Sequence, residues 1–82
     1  MIVFDGHEYE DAADVPDIGF FRCDKLSNGK REYYGLSADV SKLPTKAVYP
    51  QYTDLKTGSY AYCVDDGSVF MYEESTDMWH EQ

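Results

Sequence analysis

Both ends of this chain lack basic residues. Residues 1–17 carry six acids (Asp5, Glu8, Glu10, Asp11, Asp14, Asp17) and no Lys or Arg. Residues 65–82 carry six more (Asp65, Asp66, Glu73, Glu74, Asp77, Glu81) and again no base. All seven bases lie between Arg22 and Lys56, so the net charge of -9 is two acidic ends around a mildly basic middle. A net charge of that sign opposes sequence-independent binding to nucleic acid and to anionic membrane surfaces. Long apolar runs are missing too: no window approaches the ~20 apolar residues of a membrane helix. The opening Met1-Ile2-Val3-Phe4-Asp5 has no basic segment and no long apolar core, so it does not read as a signal peptide. A soluble chain kept in a cytoplasm is the expectation.

Cysteine is scarce. Cys23 and Cys63 stand forty positions apart and are expected as buried thiols, with one disulfide as the alternative. No Cys-x-x-Cys or His-x-x-x-His spacing is present, and His7 and His80 sit at opposite ends, so no zinc site is expected. The calcium-loop spacing, the phosphate-binding Gly-rich loop and the Gly-x-Ser-x-Gly turn are likewise absent. Neighbouring carboxylates such as Asp65–Asp66 and Glu73–Glu74 point to opposite faces of a strand, which makes them poor acid/base pairs. The expectation is therefore no enzyme, no metal and no cofactor.

Aromatic residues are what the chain has in abundance: 16% of its 82 residues, including eight Tyr. A chain of this length makes one small domain, residues 1–82, with a narrow margin of stability. Asp5-Gly6 between two short apolar runs and Asn28-Gly29 between residues 18–25 and 30–34 are two-residue hairpin turns. Residues 11–17 and 36–43 each predict one short helical turn, the second capped by Ser37. Residues 45–58 read as a connecting loop, with a short strand expected around 47–49. Residues 59–64, 68–73 and 78–81 form a three-stranded meander joined by Asp65-Asp66-Gly67 and by Glu74 to Asp77. The fold class is mainly β, built of antiparallel hairpins with a C-terminal meander.

Alternation in that meander places Tyr60, Tyr62 and Val64 on one face and Ala61 and Cys63 on the other; Phe70 and Tyr72 share a face opposite Val69 and Met71. Neither face is polar, unlike a half-solvated sheet. The hairpin is thus either covered on both sides or offers aromatics to a partner, and a chain this short has little material for covering both. Tyr60, Tyr62, Phe70, Tyr72 and Trp79 are the candidate interaction residues, shared in unknown proportion between core and interface.

Two segments carry a resemblance. GLSADVSKLP at 35–44 and TGSYAYCVDDGSVFMYEESTDMWHEQ at 57–82 resemble small proteins from the head and tail gene clusters of tailed bacteriophages of Gram-positive bacteria. The shared features are Leu43-Pro44, Thr57-Gly58-Ser59, the turn Asp65 through Gly67, the aromatic strand Phe70 to Tyr72, Thr76-Asp77 and Trp79. The resemblance implies a virion-associated structural or accessory protein of the head, head fibre, decoration or tail region. It would dock on capsid or tail proteins or on itself, in the virion and in the host cytoplasm during assembly. It implies no cofactor. Two other functions remain open on the residues alone: an acidic mimic of DNA that inhibits a host nuclease, and a carbohydrate-binding attachment module using exposed Tyr and Trp rings.

Overall fold

The computed structural model describes residues 1–82. The Asp-Gly and Asn-Gly signals act as expected. Asp5 and Gly6 have φ of 55° and 82°, and Asn28 and Gly29 have 53° and 83°. Positive φ at both central positions is the type I′ arrangement that matches strand twist. The first turn joins β1 (Ile2–Phe4) to β2 (His7–Tyr9) in a separate two-stranded sheet. The second joins β3 (Arg22–Ser27) to β4 (Lys30–Gly35). The meander is β5 (Tyr60–Cys63), β6 (Val69–Glu73) and β7 (Met78–Glu81). Together they make one five-stranded sheet in the order β3-β4-β5-β6-β7.

The mainly-β class, the antiparallel hairpins and the meander are therefore present, with 3-10 turns at 12–14, 37–42 and 50–54. Hairpin signals do not reveal how the two halves join. β4 and β5 pair in parallel, Glu32 opposite Tyr60 and Tyr34 opposite Tyr62. Parallel neighbours require a crossover, and residues 36–59 supply it.

Three local expectations are corrected. Residues 18–21 are not strand: Gly19 turns with φ of 66°, and Phe21 N–H donates to Ile18 C=O, so Ile18 and Phe21 drop into the core. Ser37 is not the cap of the second helical turn. Leu36 occupies the cap position, and Ser37 donates from both its backbone N–H and its hydroxyl to Asp65. Residues 47–49 form no strand; Pro50 instead opens the 3-10 turn that carries Tyr52 into the core.

The whole crossover and both N-terminal pieces lie on one side of the sheet. On that inner side Tyr33, Ala61 and Cys63 pack with Ile18, Phe21 and Leu43, and Tyr72 packs with Tyr52 and Leu55. Trp79 touches both groups and donates its indole N–H to the Pro44 carbonyl at 2.8 Å. Gly35 must lack a side chain, because a Cβ there would lie 2.6 Å from the Phe21 ring and 2.8 Å from its Cα. Cys23 and Cys63 are both free. They sit on β3 and β5 with β4 between them, two strand spacings or about 9–10 Å, beyond disulfide reach.

The N-terminal hairpin is held by charge as well as by contact. Arg31 is wholly buried beneath it. Its Nη2 donates to the Asp5 carbonyl at 2.8 Å and to Asp54 at 3.3 Å, and its guanidinium lies 4.9 Å over the Tyr52 ring. The Asp5 side chain is 2% exposed and accepts from the hydroxyls of Tyr33 and Tyr52. The turn residue that lets β1 fold onto β2 is thus also the polar anchor of the hairpin.

Candidate docking face

Register decides which side chains share the other side of the sheet. Glu32, Tyr60, Met71 and His80 stand opposite one another across β4 to β7. Lys25 extends this row onto β3. Arg22, Tyr34, Tyr62 and Val69 form the next row. The bulge between Cys23 and Lys25 inserts one residue, Asp24, so that Arg22 and Lys25 both point outward. Glu73 opposite Met78 begins a third row.

No element of the chain covers these rows. Tyr34 is 38% exposed, Tyr62 36%, Met71 37% and Met78 54%. The three tyrosines cluster: the Tyr34 ring meets those of Tyr60 at 6.5 Å and Tyr62 at 6.2 Å, edge to face in both cases. Tyr60 donates to Glu32, its neighbour on β4, at 2.6 Å, which ties its ring to the adjacent strand.

The five candidate residues therefore separate. Tyr60 and Tyr62 stand together on the open face, while Phe70, Tyr72 and Trp79 lie on the inner face. Tyr72 is 1% exposed and belongs to the core, and Phe70 and Trp79 pack against it. The reason is parity: Ala61 and Cys63, small enough to sit under the crossover, mark the inner face, and Phe70 stands opposite Ala61. Tyr34, Val69, Met71 and Met78 also belong to the open face and are not among the five candidates. Tyr34 was hidden because the parallel pairing that brings β4 beside β5 has no local signal.

The two acidic ends meet the same crossover. The N-terminal hairpin lies over the inner face of β3 and β4, with Gly6 against Leu26, whereas Glu73, Asp77 and Glu81 belong to β6, β7 and their turn. Asp17 accepts from the Tyr49 hydroxyl through its carbonyl and pairs with Lys42, while Asp77 accepts from the N–H groups of Lys46 and Ala47 and Asp65 from Ser37. Many of these carboxylates serve the fold itself. Burial works to raise the pKa of Asp77, but the Tyr72 hydroxyl at 2.5 Å and the backbone N–H groups of Lys46 and Ala47 outweigh it and hold Asp77 below the usual range. The Ser37 hydroxyl and N–H lower Asp65. The Thr57 N–H, then Lys46, lower Glu74.

Burial, followed by the Asp5 interactions, raises the phenols of Tyr33 and Tyr52; burial and the bond to Asp77 raise Tyr72. The pH dependence has two arms. Carboxyls lowered in the fold contribute stability that is present above the unfolded pKa and is lost as pH falls through the folded one. Phenols raised in the fold contribute stability that is present below the unfolded value and is lost as pH rises past it. Urea titrations across pH are expected to show a plateau between about 5 and 9, with losses below about 4 and above about 10. Asp77→Asn flattens the acid arm. An acid arm unchanged in Asp77→Asn would show that these bonds do not hold the crossover to the meander.

No family model, no curated protein and no solved structure matches this chain.

Proposed function

We propose that this chain is a structural or accessory protein of a phage particle and works by docking the open sheet face on another protein surface. The observation that carries the docking reading is a sheet with all its covering material on one side and a Tyr34–Tyr60–Tyr62 cluster with Met71 on the other. Exposed tyrosines and methionines held in one plane are the composition of an interface centre, and Arg22, Lys25, Lys30 and Glu73 give it a charged rim. The resemblance to small head and tail cluster proteins supports the particle as the setting. The rings are edge to face rather than coplanar, which suits packing against a protein better than stacking on a sugar. Asp65, Glu74 and Asp77 are tied to backbone N–H groups of the fold itself, which weighs against a free DNA-like array of charge.

The test is co-sedimentation of the purified chain with capsids and with tails of the phage that encodes it. Wild type is expected to sediment with one of them. Tyr62→Asp, a surface change that leaves the core intact, is expected to lose at least about tenfold in affinity, the size of one hot-spot residue. Wild type remaining in the supernatant with both particles, or Tyr62→Asp sedimenting as wild type does, would overturn the reading.

A further inference from the structure

The open face carries charge asymmetrically, and the asymmetry is self-complementary. Its β3–β4 side presents Lys25 and Lys30, which line a shallow hollow with Glu32, Gly58 and Tyr60. Its β6–β7 side presents Glu73, Met71 and Met78. Lys30 and Glu73 stand in one row with Gly58 between them, so within one chain they are two strand spacings, about 9–10 Å, apart. Lys30 forms no ion pair within the chain, and Glu73 has only His80 at 3.0 Å as its charged partner. The absence of a side chain at Gly58 lets the Lys30 stem lie over it, with its ammonium between β4 and β6.

We propose that the occupant of this face is a second copy of the same chain, related by a two-fold axis that runs parallel to the strands over β5. The inference rests on the reading of the open face as a docking surface and names its occupant in the free chain, one that must leave before the same tyrosines meet a capsid or tail. β5 is the central strand of five. A two-fold axis along it lays β4 of one copy over β6 of the other and β3 over β7, while keeping each row in place. Tyr60 and Tyr62 then meet their own counterparts at the axis. Glu73 of each copy enters the hollow between Lys25 and Lys30 of the other, and Met71 reaches the same hollow beside Tyr60. A two-fold axis across the strands would instead set β3 on β3 and lysine on lysine. Sheets packed face to face keep their strands within about 30° of alignment, as this arrangement does. An isologous contact also closes at two copies and does not propagate.

Four strand spacings make the face about 19 Å wide. The contact is small beside the roughly 1,600 Å² of a standard interface, so the pairing is weak and salt-sensitive.

Sedimentation equilibrium on the full chain tests this, over a range from about 10 μM to about 1 mM at about 0.15 M salt, which screens the repulsion between two chains of net charge -9. Wild type is expected to move from 9.4 kDa toward twice that mass. Lys30→Glu and Glu73→Lys are each expected to weaken association at least about tenfold, and the double variant to recover to within about threefold of wild type. Circular dichroism of each variant confirms that the fold is kept. A wild-type mass that stays at one chain at every concentration would overturn self-pairing, as would single variants that associate like wild type or a double variant that does not recover. A monomer that still co-sediments with particles through Tyr62 would remove the second copy and leave the docking reading standing. A dimer that binds neither capsids nor tails would do the reverse.

Discussion

Asp5→Ala is expected to lose about 3–5 kcal/mol of stability, the cost of removing one member from a buried charged network. An 82-residue domain has a total margin of about 4–12 kcal/mol, so the loss is a large fraction of it. Three effects combine. Arg31 Nε has no hydrogen-bond partner and faces Asp5 Oδ2 at 4.0 Å, so removing that oxygen leaves the half-exposed Asp54 as the one carboxylate beside a buried guanidinium. The buried hydroxyls of Tyr33 and Tyr52 lose the acceptor they share. Alanine must also take φ of 55°, which Asp and Asn tolerate better. Asp5→Asn separates these effects, since it keeps an acceptor and the turn but removes the charge, and its loss is expected to be smaller. Thermal unfolding reads the difference, with each kcal/mol moving the midpoint about 4–8 °C in a domain of this size. An Asp5→Ala protein within about 1 kcal/mol of wild type would mean that the Asp5 carboxylate is not the polar anchor of the N-terminal hairpin.

Tyr72→Ala is expected to be about as damaging, at about 3–5 kcal/mol, because it empties a large aromatic site in the core. The Tyr72 ring lies 5.4 Å from that of Trp79 and packs with Tyr52 and Leu55, so its loss opens a cavity between the crossover and the meander. Tyr72→Phe keeps the ring and removes only the hydroxyl bond to Asp77, which retains the N–H groups of Lys46 and Ala47. Its expected cost is about 1 kcal/mol. Chemical denaturation of both variants tests the ratio. Equal losses would assign the role of Tyr72 to its hydroxyl rather than to its packing.

Local signals in the chain carried the architecture a long way. Asp5-Gly6 and Asn28-Gly29 announce their hairpins because few other dipeptides accept two positive φ values in succession. The meander is legible from its alternation and its Asp- and Gly-bearing turns. The parallel contact of β4 with β5 is not legible, because it joins residues 28 positions apart through a crossover whose 3-10 turns have weak signatures. That one contact carries Tyr34 to Tyr60 and Tyr62, so it decides the composition of the open face. The buried polar anchor was hidden for a different reason. Asp5 reads fully as a turn residue, and no local signal marks Arg31 as buried; only the fold of the first hairpin over β4 brings the two together. Likewise, the acidic ends read as surface charge, although Asp65, Glu74 and Asp77 hold loops by accepting backbone N–H groups.

Residue-resolved tyrosine labelling, on the dilute chain and again on the chain mixed with the capsids or tails of the proposed function, tests the central claim most directly. The free chain is expected to be modified at Tyr34 and Tyr62 and protected at Tyr33, Tyr52 and Tyr72. Binding is expected to extend protection to Tyr34 and Tyr62. Labelling of these two that is as strong in the bound chain as in the free one would contradict the open face as the docking surface.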